Sequence, residues 1–128
     1  MHTPRTAIAH GTQLTNDEAV YYTVPDTAMG AWVDKFELLN THATTDYTAT
    51  VWIIPGYNSS GAAISYTPGA APGDTYLIYR AITLASATRR PDTCPEMVGK
   101  WLDRGDRIVA LGSAASVINI MCNVREVK

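Results

Sequence analysis

The sequence predicts an all-β domain, an antiparallel two-sheet β-sandwich of jelly-roll-like or Ig-like order carrying a flexible N-terminal arm. Three observations predict it. Apolar and polar residues alternate in several windows, and no window sustains apolar residues at i, i+3, i+4, i+7. Gly and Pro punctuate the chain at short intervals. Strand-like runs follow one another with no helix between them, so the apolar face of one sheet has to be covered by another sheet. At 128 residues, 46% of them hydrophobic, the chain has the size of one domain and enough apolar material for one core. Residues 1–16 are read as the arm and 17–128 as the single sandwich domain.

Residues 1–16 carry no strand signal and read as a segment that orders on a partner. In EAVYYTV, Val20, Tyr22 and Val24 share a face, and Pro25 stops pairing because it has no N–H to donate. AWVDKFELLN follows, with Trp32, Phe36 and Leu38 on one face, Asp34 between them, and Lys35 and Glu37 opposite. Helix competes for this run, but its neighbours are strands and Asn40-Thr41 close it. YTATVWII at 47–54 is rich in β-branched and aromatic residues. Its alternation is two-sided: Tyr47, Ala49, Val51 and Ile53 line one face, while Trp52 and Ile54 on the other suggest cover by a neighbouring subunit. Pro55-Gly56 and Asn58-Ser59-Ser60-Gly61 make a turn.

After the turn-rich TPGAAPGD at 67–74, Tyr76, Ile78, Ile82 and Leu84 share a face interrupted by Arg80. The pattern weakens from Ala85 to Asp103, a polar and proline-broken excursion in which MVGKWL forms at most a brief strand or turn. Arg104-Gly105-Asp106 turns the chain into a strand with Ile108 and Ala110, and Gly112 to Ser116 read as a hairpin into the last strand. There Ile118, Ile120, Cys122 and Val124 alternate with Asn119, Met121, Asn123 and Arg125, giving one apolar face.

A formal charge of -2 with 17% charged residues supplies no basic field for a phosphate backbone, which argues against nucleic-acid binding. No run approaches the roughly 20 apolar residues that span a bilayer, and the first residues lack the apolar core of a signal peptide, so no membrane partner is expected. Cys94 and Cys122 are too few and too far apart for a disulfide framework or a zinc site; one bridge between them stays open, and Cys122 on the inward face reads as a small hydrophobe.

The search for chemistry predicts no enzyme, no cofactor and no metal. His2, His10 and His42 have no ligand spacing. Ser113 and Ser116 lack the strand–turn–helix setting of a nucleophile elbow. Nothing selects a carboxylate pair from Glu18, Glu37, Glu96 and Glu126, and the glycines of TPGAAPGD precede a strand, so no helix N-terminus awaits a phosphate. Asn58-Ser59-Ser60 spells a glycosylation sequon and Arg104-Gly105-Asp106 an integrin-ligand tripeptide, yet both read as turns. The interaction candidates are Tyr47, Tyr57 and Trp101 as aromatic contacts, with Arg89 and Arg90 as carboxylate grips.

Three stretches, YYTVPDTAMGAWVDKFELLN, TVWIIPGYNSSGAAI and LDRGDRIVALGSAASVINIMCNVREV, resemble a family of small virion proteins of tailed bacteriophages. The matching residues are Tyr22 to Pro25, Asn40, Pro55-Gly56, Gly105-Asp106 with Ile108, Ser113 to Ser116, and Glu126, across roughly 18–127. The stretch 85–103, with Arg89, Arg90, Cys94 and Trp101, departs from the pattern. The resemblance implies a multi-copy β-sandwich without an active site, serving as a decoration, cement, neck, collar or tail-associated part. It implies partners among its own copies (a homo-oligomer) and among major capsid or neck/tail subunits, in a virion assembled in the bacterial host cytoplasm. The alternative is a receptor- or carbohydrate-binding tip module of a tail fibre, stacking sugars on Tyr57, near Asn58, and Tyr66.

Overall fold

The computed structural model describes residues 12–67, 73, 75–86 and 91–128, together with the backbone of 5–7. Nine strands and no helix occur among them: β1 (Arg5–Ala7), β2 (Thr12–Gln13), β3 (Ala19–Thr23), β4 (Gly30–Asn40), β5 (Tyr47–Ile54), β6 (Leu77–Leu84), β7 (Trp101–Asp103), β8 (Arg107–Gly112) and β9 (Ile118–Val127). One antiparallel sheet has the order β1-β9-β4-β7, with β2 also pairing β9; the other has the order β3-β8-β5-β6. From β2 onward every connection except β5 to β6 passes from one sheet to the other. That interleaving is the jelly roll, so the choice left open between jelly-roll-like and Ig-like order falls to the former. The Gly112 to Ser116 segment is consequently a crossover between sheets, since β8 and β9 lie in different ones, and the hairpin expected there is corrected.

The last strand behaves as its alternation requires. Ile118, Ile120, Cys122 and Val124 are each 0% exposed, facing a core that also holds Phe36, Leu38, Val51, Ile108 and Leu102. β9 runs beside β4 over ten register pairs, from Gly30↔Val127 to Asn40↔Ile118, which makes it the backbone of its sheet. Its other edge receives Arg5 to Ala7 and Thr12 to Gln13 in antiparallel register. Residues 1–16 thus contain two short strands where none was expected, and Leu14 is fully buried, its N–H donating to the Ile118 carbonyl at 2.8 Å.

Bulges explain where the expected faces fail. A bulge adds a residue to one strand and reverses which side chains point inward beyond it. In β4 the register steps from Val33↔Val124 to Lys35↔Asn123, leaving Asp34 as the extra residue. Ala31 and Val33 therefore share the inner face with Phe36 and Leu38, while Trp32, expected inside, is exposed. In β3 the step between Val20 and Tyr22 sends Tyr22 and Val24 to the core and Val20 to the outer side. In β6 two such shifts and an Ala81 φ of 44° displace Tyr76 from the inner face while Ile78, Ile82 and Leu84 keep it.

β5 is covered on both sides, as its two-sided pattern requires, but the cover comes from the chain itself. Trp52, Ile54 and Val109 form a second cluster on the outer face, packed by Ile64, Tyr66, Tyr76 and Leu77. The Trp52 Nε1–H donates to the Gly73 carbonyl at 2.8 Å. Cover by a neighbouring subunit is corrected accordingly.

The described part of the polar excursion, 91–103, guards an edge. Leu38 and Asp92 exchange backbone hydrogen bonds of 3.0 and 2.8 Å, and Gly99 N–H donates to the Val33 carbonyl at 2.7 Å, so this segment runs along β4 and ends in β7. Cys94 and Met97 from it are fully buried. Beyond β7 the Asp103 N–H donates to Asp106 Oδ2 at 2.9 Å and the Asp103 carbonyl accepts from the Asp106 N–H at 3.0 Å, which occupies groups that would otherwise invite another strand.

Two polar contacts hold the sheets in register with each other. Tyr22 on β3 donates its hydroxyl to Glu126 Oε2 on β9 at 2.7 Å. Asn40, 2% exposed at the end of β4, donates from Nδ2 to the carbonyls of Leu84 and Thr45, both at 2.9 Å, and accepts the His42 N–H at 2.8 Å. Removing a buried partner leaves its mates unsatisfied, at a cost of about 1–3 kcal/mol for each such group. Asn40→Ala is expected to lower the unfolding free energy by about 2–4 kcal/mol in urea denaturation; an unchanged midpoint would contradict the clamp.

Candidate interaction surface

β4, β7 and β9 carry an aromatic and cationic row across the outer face of the first sheet. Trp101 pairs in register with Trp32, and Trp32 with Arg125, so the three side chains stand side by side on neighbouring strands. The two indoles meet edge to face, with centroids 4.9 Å apart and planes at 63°, a geometry in which the edge of one ring meets the negative face of the other. Trp101 lies flat because the next outward position on β4 is Gly30. A Cβ there would come within 2.1 Å of the Trp101 Cζ2, so only glycine accommodates the ring. The Trp101 Nε1–H donates to Asp103 Oδ1 at 2.8 Å, and an Arg125 nitrogen lies 3.4 Å from Asp34 Oδ1.

Among the described residues, most of the large apolar groups that face solvent lie on β4 and β7 or just before them. Five large hydrophobic residues are exposed among those described: Met29 (64%), Trp32 (39%), Tyr57 (46%), Val98 (44%) and Trp101 (38%). All except Tyr57 lie on β4 and β7 or within three residues of their starts. Single exposed apolar residues need no explanation; Trp32 and Trp101 are adjacent and in ring contact. Sequence reasoning found Trp101 and missed Trp32, because uninterrupted alternation from Phe36 and Leu38 points Trp32 inward. Nothing in AWVDKFELLN reveals the bulge at Asp34 that turns it out. The glycine before the run was the available signal, since a strand glycine often marks a close approach.

The other expected contacts are dispersed. Tyr47 is half-buried against the core, its ring edge-on to His42 at 5.5 Å, and serves as part of the wall. Tyr57 is exposed on the loop after β5, with its ring against Gly105. Tyr66 packs into the outer cluster. Arg89 and Arg90 lie outside the described residues.

Four of the groups considered for chemistry, His42, Ser113, Glu37 and Glu96, have structural partners. His42 Nδ1 accepts the N–H groups of Thr44 and Thr45 at 3.2 and 3.0 Å, and Ser113 Oγ accepts the Thr48 N–H at 2.9 Å. Glu37 pairs with Lys35 at 3.0 Å. Glu96 accepts the Tyr79 hydroxyl, which holds its carboxyl below the usual carboxylate range. Asn58 Oδ1 accepts from Ser60 N, Ser60 Oγ and Ala62 N at 3.0, 2.7 and 3.0 Å, so the sequon is a turn. Arg104-Gly105-Asp106 is likewise a turn, with Gly105 at φ 83° and Asp106 Oδ1 accepting the Gly56 N–H at 3.0 Å. A cleft of about 160 Å³ between the ends of β4 and β6, lined by Leu38, Asn40, Leu84, Pro91 and Asp92, is smaller than the ~300 Å³ from which ligand pockets usually start. No cluster of three or more His, Cys, Asp or Glu suited to a metal occurs among the described residues. His2 and His10 lie outside them.

Comparison with protein-family models, with curated proteins and with solved structures finds no match.

Cys94 and Cys122 are buried free thiols, so no bridge joins them. Burial pushes the Cys122 thiol from its ordinary 9.0 up to about 12, and burial, reinforced by the Asp92 carboxylate, pushes Cys94 upward as well. The folded state then keeps protons that the unfolded chain releases. The stability this represents is present below the unfolded value and is lost as pH rises toward the folded one. Urea midpoints are expected to hold near neutral pH and fall between pH 9.0 and about 12, with a shallower fall in Cys122→Ala. A variant slope equal to that of the parent would contradict the assignment.

Proposed function

We propose that this chain is a non-enzymatic structural subunit of a tailed-phage virion, a decoration, cement or collar component that works by burying the Trp32–Trp101 face against neighbouring subunits. The observation that supports this reading is the pair of exposed tryptophans, Trp32 and Trp101, side by side on the paired strands β4 and β7, with exposed Met29 and Val98 just before those strands. Aromatic anchors surrounded by polar groups are the composition of an interface centre. Many modest contacts repeated around a symmetric particle add to a firm attachment, so one small face on each copy suffices. Two further points support the reading. The jelly roll is a scaffold used by viral capsid proteins. The run of turn and strand residues from Tyr22 to Glu126 resembles small phage virion proteins.

The rival, a carbohydrate-binding tip module, is favoured by Tyr57, which stands exposed on a loop stiffened by Asn58. Glycan binding lost in Tyr57→Ala and kept in Trp101→Ala would select it.

The virion reading is tested by incorporation. Particles from an infected culture are expected to contain the chain in a fixed multi-copy ratio to the major shell protein. The Trp32→Ala/Trp101→Ala double variant, whose altered side chains face solvent, should fold and be depleted from particles at least tenfold. Its undiminished incorporation, or absence of the parent chain from particles, would overturn the proposal.

A further inference from the structure

The row Trp101, Trp32, Arg125 has direction, and its direction matters for what can cover it. Toward the β7 edge Trp101 carries the Asp103 carboxylate on its Nε1–H; on the β9 side stands the Arg125 guanidinium, half-exposed, with one nitrogen 3.4 Å from Asp34 Oδ1 and with Arg5 of β1 next to it in register. Strands lie about 4.8 Å apart, so the acidic, aromatic end and the basic end are about 10 Å apart with Trp32 midway. A partner of one charge sign would match only one end. The pattern that matches both is the same row reversed.

We propose that this face binds a second copy of the same chain about a two-fold axis running parallel to the strands, through Trp32. The inference rests on the reading of this face as a contact surface and names its occupant. Such an axis keeps strand direction and reverses order across the sheet. Trp32 then meets its own counterpart on the axis, and Arg125 of each copy lies over Trp101 of the other, within reach of that copy's Asp103. The guanidinium gains the negative face of an indole and a second carboxylate, a pairing that suits arginine better than lysine. The contact occurs twice by symmetry, as isologous interfaces require. The sheets meet face to face with their strands aligned, the common packing of two β layers. A net charge of only -2 per copy opposes the approach little.

Charge exchange tests the geometry without depending on any particle. The full chain is expected to sediment as a concentration-dependent dimer of the 13.9 kDa subunit. Arg125→Glu alone places Glu against Asp103 twice, and Asp103→Arg alone places Arg against Arg125 twice; each should weaken self-association at least tenfold. An equimolar mixture of the two variants pairs Glu with Arg at one contact and Arg125 with Asp103 at the other, and is expected to restore the dimer as a heterodimer. Restoration cannot come from a misfolded variant. A parent chain that stays monomeric at sub-millimolar concentration, or variants that dimerise alone as well as mixed, would overturn the second-copy inference. Loss of the double tryptophan variant from particles would still stand, so the two readings fail separately.

Discussion

The structure depends on the inward face of β9. Ile118, Ile120, Cys122 and Val124 all point into the space between the sheets, and every other part of the first sheet is positioned from that strand. On one edge it pairs with the whole of β4; on the other it takes β1 and β2. A one-residue slip would send four apolar side chains to solvent and bring Asn119, Met121, Asn123 and Arg125 into the core, so the register is strongly specified. Each buried apolar side chain of this size is worth ~1.5–3 kcal/mol relative to exposure. That constraint places Arg125 outside, and the paired register of β4 and β7 then sets Trp32 and Trp101 beside it.

The outer face is a consequence of two local irregularities. Had β4 continued without a bulge, Trp32 would share the inner face with Phe36 and Leu38; the extra residue Asp34 turns it out. A side chain at Gly30 would displace the Trp101 ring from its seat. Bulges are found where a strand must re-aim a side chain, and here the re-aimed residue is the centre of the exposed aromatic row. The same Asp34 touches Arg125, so the residue that creates the irregularity also holds one end of the row.

Much of the fold was legible because strand burial has a period of two. The segments at 118–124 and 47–54 show it in full, and the turns at Asn58 to Gly61 and at Arg104 to Asp106 carry the residues that turns require. Sheet order was not legible, since nothing local to β8 or β9 says that the Gly112 to Ser116 segment crosses between sheets. The bulges at Val20/Tyr22, at Asp34 and around Ala81 have no residue signature, and each reverses the faces read beyond it. Leu14 and Cys94 were missed as core because each is an isolated apolar residue in a polar stretch, and Met97 because nothing in Met97-Val98 says which of the two turns inward; all three are buried through tertiary contacts. The exposed tryptophan pair was half legible: Trp101 stood out by residue type, but Trp32 required the register.

The proposed assembly role requires the Trp32–Trp101 face to be covered when the chain is at work. Oxidative footprinting of the two tryptophans, in the dilute chain and in assembled particles, measures this side chain by side chain. Both are expected to be oxidised readily in the dilute chain and protected together in the particle, while Tyr57 changes little. Equal oxidation of both tryptophans in the two states would contradict it.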